Sequence, residues 1–208
     1  TNADLPPVVV NMMRGGPGLG TIQPGQADYH MYIKGGSNGD YHNIVLAPSS
    51  VQEAVDMVMD AFDLADCYRT PVIILSDGLI GQMMEPVQFH YESKRQLPAK
   101  DWALTGKGNG EKHMIVNLNM DAEDCENHNI ELQKKYAIIE QKEQAWEEYC
   151  MDDAEYAFVS YGTSARITKS AIDTLRKEGY KVGLIRPKTL YPFPKDAFTR
   201  KEIKKYVF

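Results

Sequence analysis

The chain has 208 residues, of which 43% are hydrophobic and 25% are charged. This composition is that of a soluble globular protein and excludes disordered, collagen-like and coiled-coil classes. The net charge of −6 argues against a nucleic-acid partner, and no apolar run approaches the ~18 residues of a membrane-spanning helix. Three cysteines without CxxC spacing predict a reducing cytoplasm, no disulfide framework, and no metal or iron–sulfur site held by this chain alone.

The first elements predict a parallel sheet. Residues 8 to 13 are a β-branched apolar run closed by two glycines, as in a buried strand. Residues 14 to 43 are rich in glycine and predict a loop with one short helix. A second short strand is predicted at residues 44 to 46.

A helix and a third strand complete a β-α-β unit. Ser50 and Glu53 form a capping box at the helix start. Apolar residues up to about residue 65, including Phe62, recur at helical spacing and are predicted to face the sheet, while Asp63 faces water. Residues 72 to 75 predict the strand, which ends in a turn at Asp77.

The middle of the chain lacks a clear period. From residue 85 to about 119 we expect a long excursion, turn-rich at residues 106 to 110, of a kind that is usually functional or interfacial. A polar helix is predicted from about residue 121 to 149 as a bridge between two domains.

The last part repeats the α/β pattern, with a strand at 156 to 160, a helix at 165 to 177 and a strand at 181 to 185. Residues 204 to 208 predict the start of a strand that is cut before it can pair. We therefore expect a chain incomplete at both ends, with domains at 1–88 and 151–208 joined by an excursion and linker helix at 89–150.

The most informative motif is the string Arg-Gly-Gly-Pro-Gly-Leu-Gly that begins at Arg14. It follows a predicted strand directly, so Arg14 is expected at the strand's carboxyl end, where open α/β sheets bind their ligands. The guanidinium could hold a carboxylate or phosphate through two hydrogen bonds, and Gly15 and Gly16 could bring backbone N–H groups to the same anion. The alternative is an arginine held by a salt bridge in a tight glycine turn.

Three other loops are weaker candidates for ligand contacts. Asp40, in a glycine-rich loop, and Asp77, at a strand end, could each contact a ligand, although both sequences also suit ordinary turns. Residues 162 to 164 place free N–H groups at a helix start, which suits an anion or a plain cap. The sequence contains no Walker loop, no dinucleotide fingerprint, no metal-binding histidine spacing and no hydrolase nucleophile motif.

Three stretches occur together in this chain: the arginine–glycine string within residues 11 to 21, Leu-Ala-Pro-Ser-Ser-Val-Gln-Glu and Leu-Ser-Asp-Gly within 44 to 81, and residues 160 to 194. Together they resemble the alpha subunit of the 2-oxoacid:ferredoxin oxidoreductases. Gly-Gln-Met-Met-Glu-Pro at 81 to 86 most resembles the branched-chain, 2-oxoisovalerate members. The resemblance implies an α/β fold in which a partial pyrimidine-type thiamine-binding domain with a parallel sheet precedes a partial transketolase C-terminal-like domain.

The resemblance also implies an oxidoreductase that decarboxylates a branched-chain 2-oxoacid on thiamine diphosphate, passes electrons to ferredoxin and delivers the acyl group to coenzyme A. Arg14, with Gly15 and Gly16, would bind the substrate carboxylate, and no catalytic residue is assigned to this chain. Thiamine diphosphate and its magnesium would be shared with a beta subunit, and the iron–sulfur cluster would lie in a partner. The implied partners are the beta, gamma and ferredoxin-like subunits and ferredoxin itself.

The chain also departs from the family pattern. It contains neither the Tyr-Pro-x-Thr-Pro segment that faces the substrate in the family nor the glutamate that activates the thiamine pyrimidine. It would therefore hold half of a site and need partner chains. Two alternatives stay open: the same reaction on 2-oxoglutarate or pyruvate, and a noncatalytic binding or assembly module on the same scaffold.

Overall fold

A computed structural model describes residues 1–35, 37–93, 95–106 and 112–208. Gly36, in the loop before Asp40, and most of the turn-rich stretch predicted at 106 to 110 lie outside the described residues. Strands and helices alternate along much of the chain. In chain order they are β1 (Val8–Met13), α1 (Tyr29–Ile33), β2 (Ile44–Leu46), α2 (Val51–Tyr68), β3 (Val72–Asp77), α3 (Gly78–Gln82), α4 (Ala122–Lys142), β4 (Trp146–Tyr149), β5 (Tyr156–Val159), α5 (Gly162–Lys177), β6 (Val182–Pro187), β7 (Thr189–Tyr191) and β8 (Lys205–Val207).

The strands form two four-stranded sheets. The first has the order β1-β3-β2-β7, in which β1 and β2 run parallel to β3 and β7 is antiparallel to β2. The second has the order β4-β6-β5-β8, with β4 antiparallel to β6 and the other pairs parallel. The predicted mixed α/β fold with parallel sheets is therefore confirmed.

The first β-α-β unit forms as the sequence predicts. β2 and β3 are buried at every position, as expected of apolar strands covered on both faces. α2 begins after Ser50, whose side chain accepts the Glu53 N–H at 3.1 Å. The Glu53 carboxylate departs from the capping box, since it accepts from Ser49 N rather than from Ser50.

One face of α2 differs from the prediction. Phe62 is 56% exposed, whereas Asp63 is buried and accepts a hydrogen bond from the Tyr91 hydroxyl at 2.7 Å. The excursion places Tyr91 and Arg95 against this side of the helix, and Arg95 pairs with Asp60. The predicted orientations of Phe62 and Asp63 are thus wrong. Asp63 is buried because the polar excursion, rather than water, covers its side of the helix.

The excursion itself is confirmed, since the described residues between α3 and α4 form neither helix nor strand. The linker helix is shorter than predicted. α4 ends at Lys142, and β4 follows it and pairs with β6. The helix predicted up to residue 149 is wrong there because Trp146 and Tyr149 meet a strand that lies far along the chain.

The second half of the chain, which we define as residues 151 to 208, contributes a strand to the sheet of the first half, residues 1 to 88. β7, from the second half, adds to the first sheet beside β2. β8 pairs in parallel with β5 over Tyr156 to Phe158, so the expectation that the last strand cannot pair is wrong.

No helix within the described ranges is both long and apolar enough to cross a membrane.

A buried ion cluster joins α2 to the second sheet at Arg186 on β6, which is 2% exposed. Its guanidinium donates to both carboxylate oxygens of Glu53 at 2.8 and 2.9 Å, and to Glu147 at 2.6 Å. Lys188 lies 3.2 Å from Glu53. Burial alone would raise the pKa of Glu53, but the hydrogen bonds and charge of Arg186 outweigh it and hold the pKa at about 2.

We predict that Glu53→Gln lowers the free energy of unfolding of the chain by about 3 kcal/mol at pH 7. The carboxylate is stabilised in the folded state, so its contribution is complete above its unfolded pKa near 4.5 and is lost as the pH falls toward 2. The difference between the wild type and the variant should therefore shrink by more than half at pH 3. Urea unfolding at the two pH values measures it.

The matched control is Glu148→Gln on β4. Glu148 pairs with Arg200 nearer the surface, where ion pairs contribute under about 1 kcal/mol. An equal loss in both variants, or a Glu53→Gln difference that does not depend on pH, would contradict the assignment.

Candidate functional site

The carboxyl ends of β1 and β3 define the edge at which the predicted site residues meet. The parallel register places Met13 opposite Asp77. Arg14 therefore leaves the sheet at the same edge as Gly78, which begins α3. This is the position at which parallel sheets bind their ligands, as the sequence predicts.

The chain folds back on itself directly after β1. We call residues 14 to 25 the arginine loop. Arg14 and Pro24 form an antiparallel bridge. Inside the loop, Gly15 N–H donates to Gln23 O at 3.0 Å and Thr21 N–H donates to Gly15 O at 2.8 Å. Backbone hydrogen bonds within the loop thus help to hold its shape.

Gly20 allows the loop to close. Its φ is +54°, and a Cβ built there would lie 2.0 Å from the carbonyl oxygen of Gly15. Only glycine fits such a position without moving the backbone. Gly18 also has a positive φ, but a Cβ there would meet nothing within 4 Å, and the same open space surrounds Gly16.

The guanidinium of Arg14 is half-buried and spans the loop. Nη1 donates to the carbonyl of Leu19 and, at 3.0 Å, to that of Thr21. Among the described residues, Arg14 forms no ion pair, and its Nε and Nη2 donate no hydrogen bond. The alternative of a salt bridge in a glycine turn is therefore not what these residues form. The Nε–Nη2 edge, which donates no hydrogen bond within the described residues, has the geometry to hold the two oxygens of a carboxylate.

The other predicted site residues lie in different settings. Gly15 has already donated its N–H to Gln23, whereas Gly16 is exposed beside it. Asp40 is exposed in the loop between α1 and β2, and no hydrogen bond or ion pair links it to the arginine loop within the described residues. Ligand contact by these residues stays a prediction.

Asp77 is buried and already engaged on both carboxylate oxygens. Oδ1 accepts from Ile80 N at 3.2 Å and from the Thr163 hydroxyl at 2.6 Å, and Oδ2 accepts from Thr163 N at 2.8 Å. Of the two alternatives for its free N–H groups, an anion or a plain cap, the start of α5 thus meets an anion, the carboxylate of Asp77. Sequence reasoning singled out both features but had no signal that they would meet.

Gln26 is a site residue that sequence reasoning missed. It follows the arginine loop directly, and its Nε2 donates to the Tyr161 carbonyl at 3.0 Å. The Ser164 hydroxyl donates to Gln26 Oε1 at 3.4 Å. A single glutamine after a glycine loop carries no pattern that identifies such a contact.

A cavity of about 1070 Å³ lies elsewhere, between α2, the excursion and the ion cluster. Glu53, Glu147, Arg186 and Lys188 line it, and in this cluster the two carboxylates are balanced by the two cations. None of the predicted site residues lines this cavity. The candidate site at the arginine loop is therefore separate from this cavity. In the described ranges, no three His, Cys, Asp or Glu side chains come together to hold a metal ion.

Two family models match the chain. Residues 2–152 match "Pyruvate flavodoxin/ferredoxin oxidoreductase, thiamine diP-bdg", and residues 154–207 match "Pyruvate:ferredoxin oxidoreductase core domain II". The two models together account for most of the described fold.

Curated relatives and a solved structure agree with these models. Ketoisovalerate oxidoreductase subunit VorB of Methanothermobacter marburgensis is 51% identical over 93% of this chain, which spans 55% of that protein. 2-Oxoglutarate synthase subunit KorA of Methanocaldococcus jannaschii is 34% identical over 98% of this chain and 62% of its own length. The 2-oxoglutarate:ferredoxin oxidoreductase of Magnetococcus marinus, solved with 2-oxoglutarate, coenzyme A and succinyl-CoA, superposes with a TM-score of 0.78 at 25% identity, covering 98% of this chain and 41% of that one.

We predict that three glycine-to-alanine changes in the arginine loop differ in a defined order. Gly20→Ala should disrupt the loop because it combines a positive φ with a backbone clash. Gly18→Ala should cost about 1 kcal/mol of strain alone, and Gly16→Ala should be nearly neutral. Hydrogen exchange at Thr21 N–H, together with the free energy of unfolding, measures the effect. Equal effects of Gly18→Ala and Gly20→Ala would contradict the close contact between Gly20 and Gly15.

Proposed function

The chain belongs to the pyruvate ferredoxin/flavodoxin oxidoreductase family, and on this basis we propose that it is part of a thiamine diphosphate-dependent enzyme that oxidises a branched-chain 2-oxoacid. The reaction consumes the 2-oxoacid and coenzyme A and yields an acyl-CoA, carbon dioxide, one proton and two electrons. The electrons pass to ferredoxin. The chain spans 55% of the length of the ketoisovalerate relatives, so this activity belongs to the whole protein and its partners.

The choice of substrate rests on the sequence identity of this chain to its relatives. Two ketoisovalerate oxidoreductase subunits are 51% and 50% identical to this chain. Two 2-oxoglutarate synthase subunits are 34% and 31% identical. This difference in sequence identity favours 2-oxoisovalerate as the substrate. The second candidate is 2-oxoglutarate, which is bound in the solved relative.

We assign the substrate carboxylate to Arg14. Its Nη1 is used inside the loop, which fixes the guanidinium plane and leaves the Nε–Nη2 edge for two parallel hydrogen bonds. A group held in this way orients the carboxylate that the reaction removes. Gly16, two residues further along the loop, would offer its N–H as a further donor.

The described residues bring together no group of three His, Cys, Asp or Glu side chains for the cation that accompanies the diphosphate of the cofactor. Thiamine diphosphate, when bound, supplies the electron sink for decarboxylation. We propose that a beta subunit holds the diphosphate and its magnesium, and that partner subunits hold the iron–sulfur cluster that passes electrons to ferredoxin. Because the chain has three cysteines without CxxC spacing, we propose that the protein lies in a reducing compartment, the cytoplasm.

We predict that Arg14→Ala raises the KM for the 2-oxoacid by about 10- to 150-fold, the effect of losing a charged hydrogen bond of about 1.5 to 3 kcal/mol. Arg14→Lys keeps the charge but not the fork, so its KM should lie between those of the wild type and Arg14→Ala. Steady-state kinetics of the complex formed by the full-length chain and its partners measure both. The KM for coenzyme A is the control and should not change. An unchanged 2-oxoacid KM would remove Arg14 from the site.

A substrate panel on the same complex tests the reaction itself. We expect the highest kcat/KM for 2-oxoisovalerate, measured by reduction of ferredoxin. A preference for 2-oxoglutarate would select the second candidate. If the complex turned over no 2-oxoacid, the noncatalytic assembly module would be the better description.

A further inference from the structure

Two side chains of the first half of the molecule form hydrogen bonds with the start of α5 in the second half. We call this contact the α5 clasp. It consists of Asp77 on Thr163 and of Gln26 on the Tyr161 carbonyl and the Ser164 hydroxyl. No side chain of α5 or of its N-cap residue caps the helix locally, so the Thr163 N–H finds its acceptor across the junction.

The clasp is closely fitted. Asp77 is 3% exposed, so its carboxylate depends on these protein donors. Gly162 has a φ of +58°, and a Cβ there would lie 2.6 Å from Asp77 Oδ2 and 2.9 Å from Gln26 Nε2. The glycine therefore lets the helix start approach both side chains at once.

The clasp is continuous with the arginine loop. Gln26 follows Gly25, whose N–H donates to Met13 O at 3.4 Å. Asp77 lies opposite Met13 in the sheet. The next residue, Gly78, lies against Pro24, since a Cβ built on Gly78 would be 3.5 Å from Pro24 Cα. Both attachment points of α5 thus lie within two residues of the backbone that supports Arg14.

We propose that Gln26 and Asp77 are positioning residues, which use α5 as a fixed support to hold the arginine loop, and with it the Arg14 guanidinium, at the angle that receives the substrate carboxylate. This rests on the proposed function of Arg14. The second half of the molecule would then set substrate affinity without touching the substrate.

A second contact of α5 provides a matched control. Arg166, also in the first turns of α5, pairs with Glu85 at 2.9 Å and donates to Ser49 O at 3.1 Å. These partners also belong to the first half, but they do not belong to the arginine loop or to its neighbours in the sheet. Arg166→Gln therefore weakens the junction without releasing the loop.

The experiment compares Gln26→Ala, Thr163→Val and Arg166→Gln in the complex of the full-length chain with its partner subunits. Thr163→Val removes the hydroxyl donor but keeps the backbone donor and the shape of the side chain. We expect both clasp variants to raise the 2-oxoacid KM by about three- to tenfold, with little change in kcat or in the KM for coenzyme A. Arg166→Gln should leave the 2-oxoacid KM unchanged.

Hydrogen exchange gives a readout that does not depend on turnover. The amides of Gly15 and Thr21 are hydrogen-bonded inside the loop and should exchange faster in the clasp variants than in the wild type or Arg166→Gln. If the clasp variants matched the wild type in both KM and exchange while Arg14→Ala raised KM, positioning would be refuted and the proposed function would stand. Equal effects in Arg166→Gln would also refute it. If Arg14→Ala left KM unchanged, the substrate role would fail, and exchange alone would report on the loop.

Discussion

The parallel pairing of β1 with β3 is the constraint on which the candidate site depends. It places Met13 opposite Asp77, so that the arginine loop and the start of α3 leave the sheet side by side. Parallel strands direct their following loops to one edge, whereas an antiparallel pair would send them to opposite edges. Because the carboxylate of Asp77 also holds α5, the same register brings the second half of the molecule to this edge.

Two polar junctions of different character join the halves. At the α5 clasp, a carboxylate meets backbone and hydroxyl donors, which makes the contact directional. At Arg186, a buried guanidinium is shared by Glu53 and Glu147, and its pKa is raised because the two carboxylates outweigh the opposing effect of burial. Removing one member of such a cluster leaves a buried charge unpaired, which penalises any separation of the halves. The α5 clasp fixes the orientation of α5 relative to the arginine loop, whereas the ion cluster at Arg186 resists separation of the two halves.

The faces of α2 illustrate why local patterns can mislead. Helical spacing located the element correctly, because the apolar stripe and the Ser50 cap depend on neighbours within one or two turns. The same spacing placed Phe62 inside and Asp63 outside, and the structure has the opposite arrangement. Asp63 is buried because Tyr91 donates to it from the excursion. Periodicity identifies a helix but cannot identify a polar segment that covers it.

By itself, the sequence determined the β-α-β units, the position of Arg14 after a strand, and the likeness to the oxidoreductase family, because each depends on residues close together in the chain. Only the tertiary structure decided that β4 is a strand, that β7 joins the first sheet and that Gln26 meets α5. These outcomes depend on partners at least 35 residues away. Short strands and single hydrogen-bonding side chains gain their stability from such partners, which no local pattern encodes.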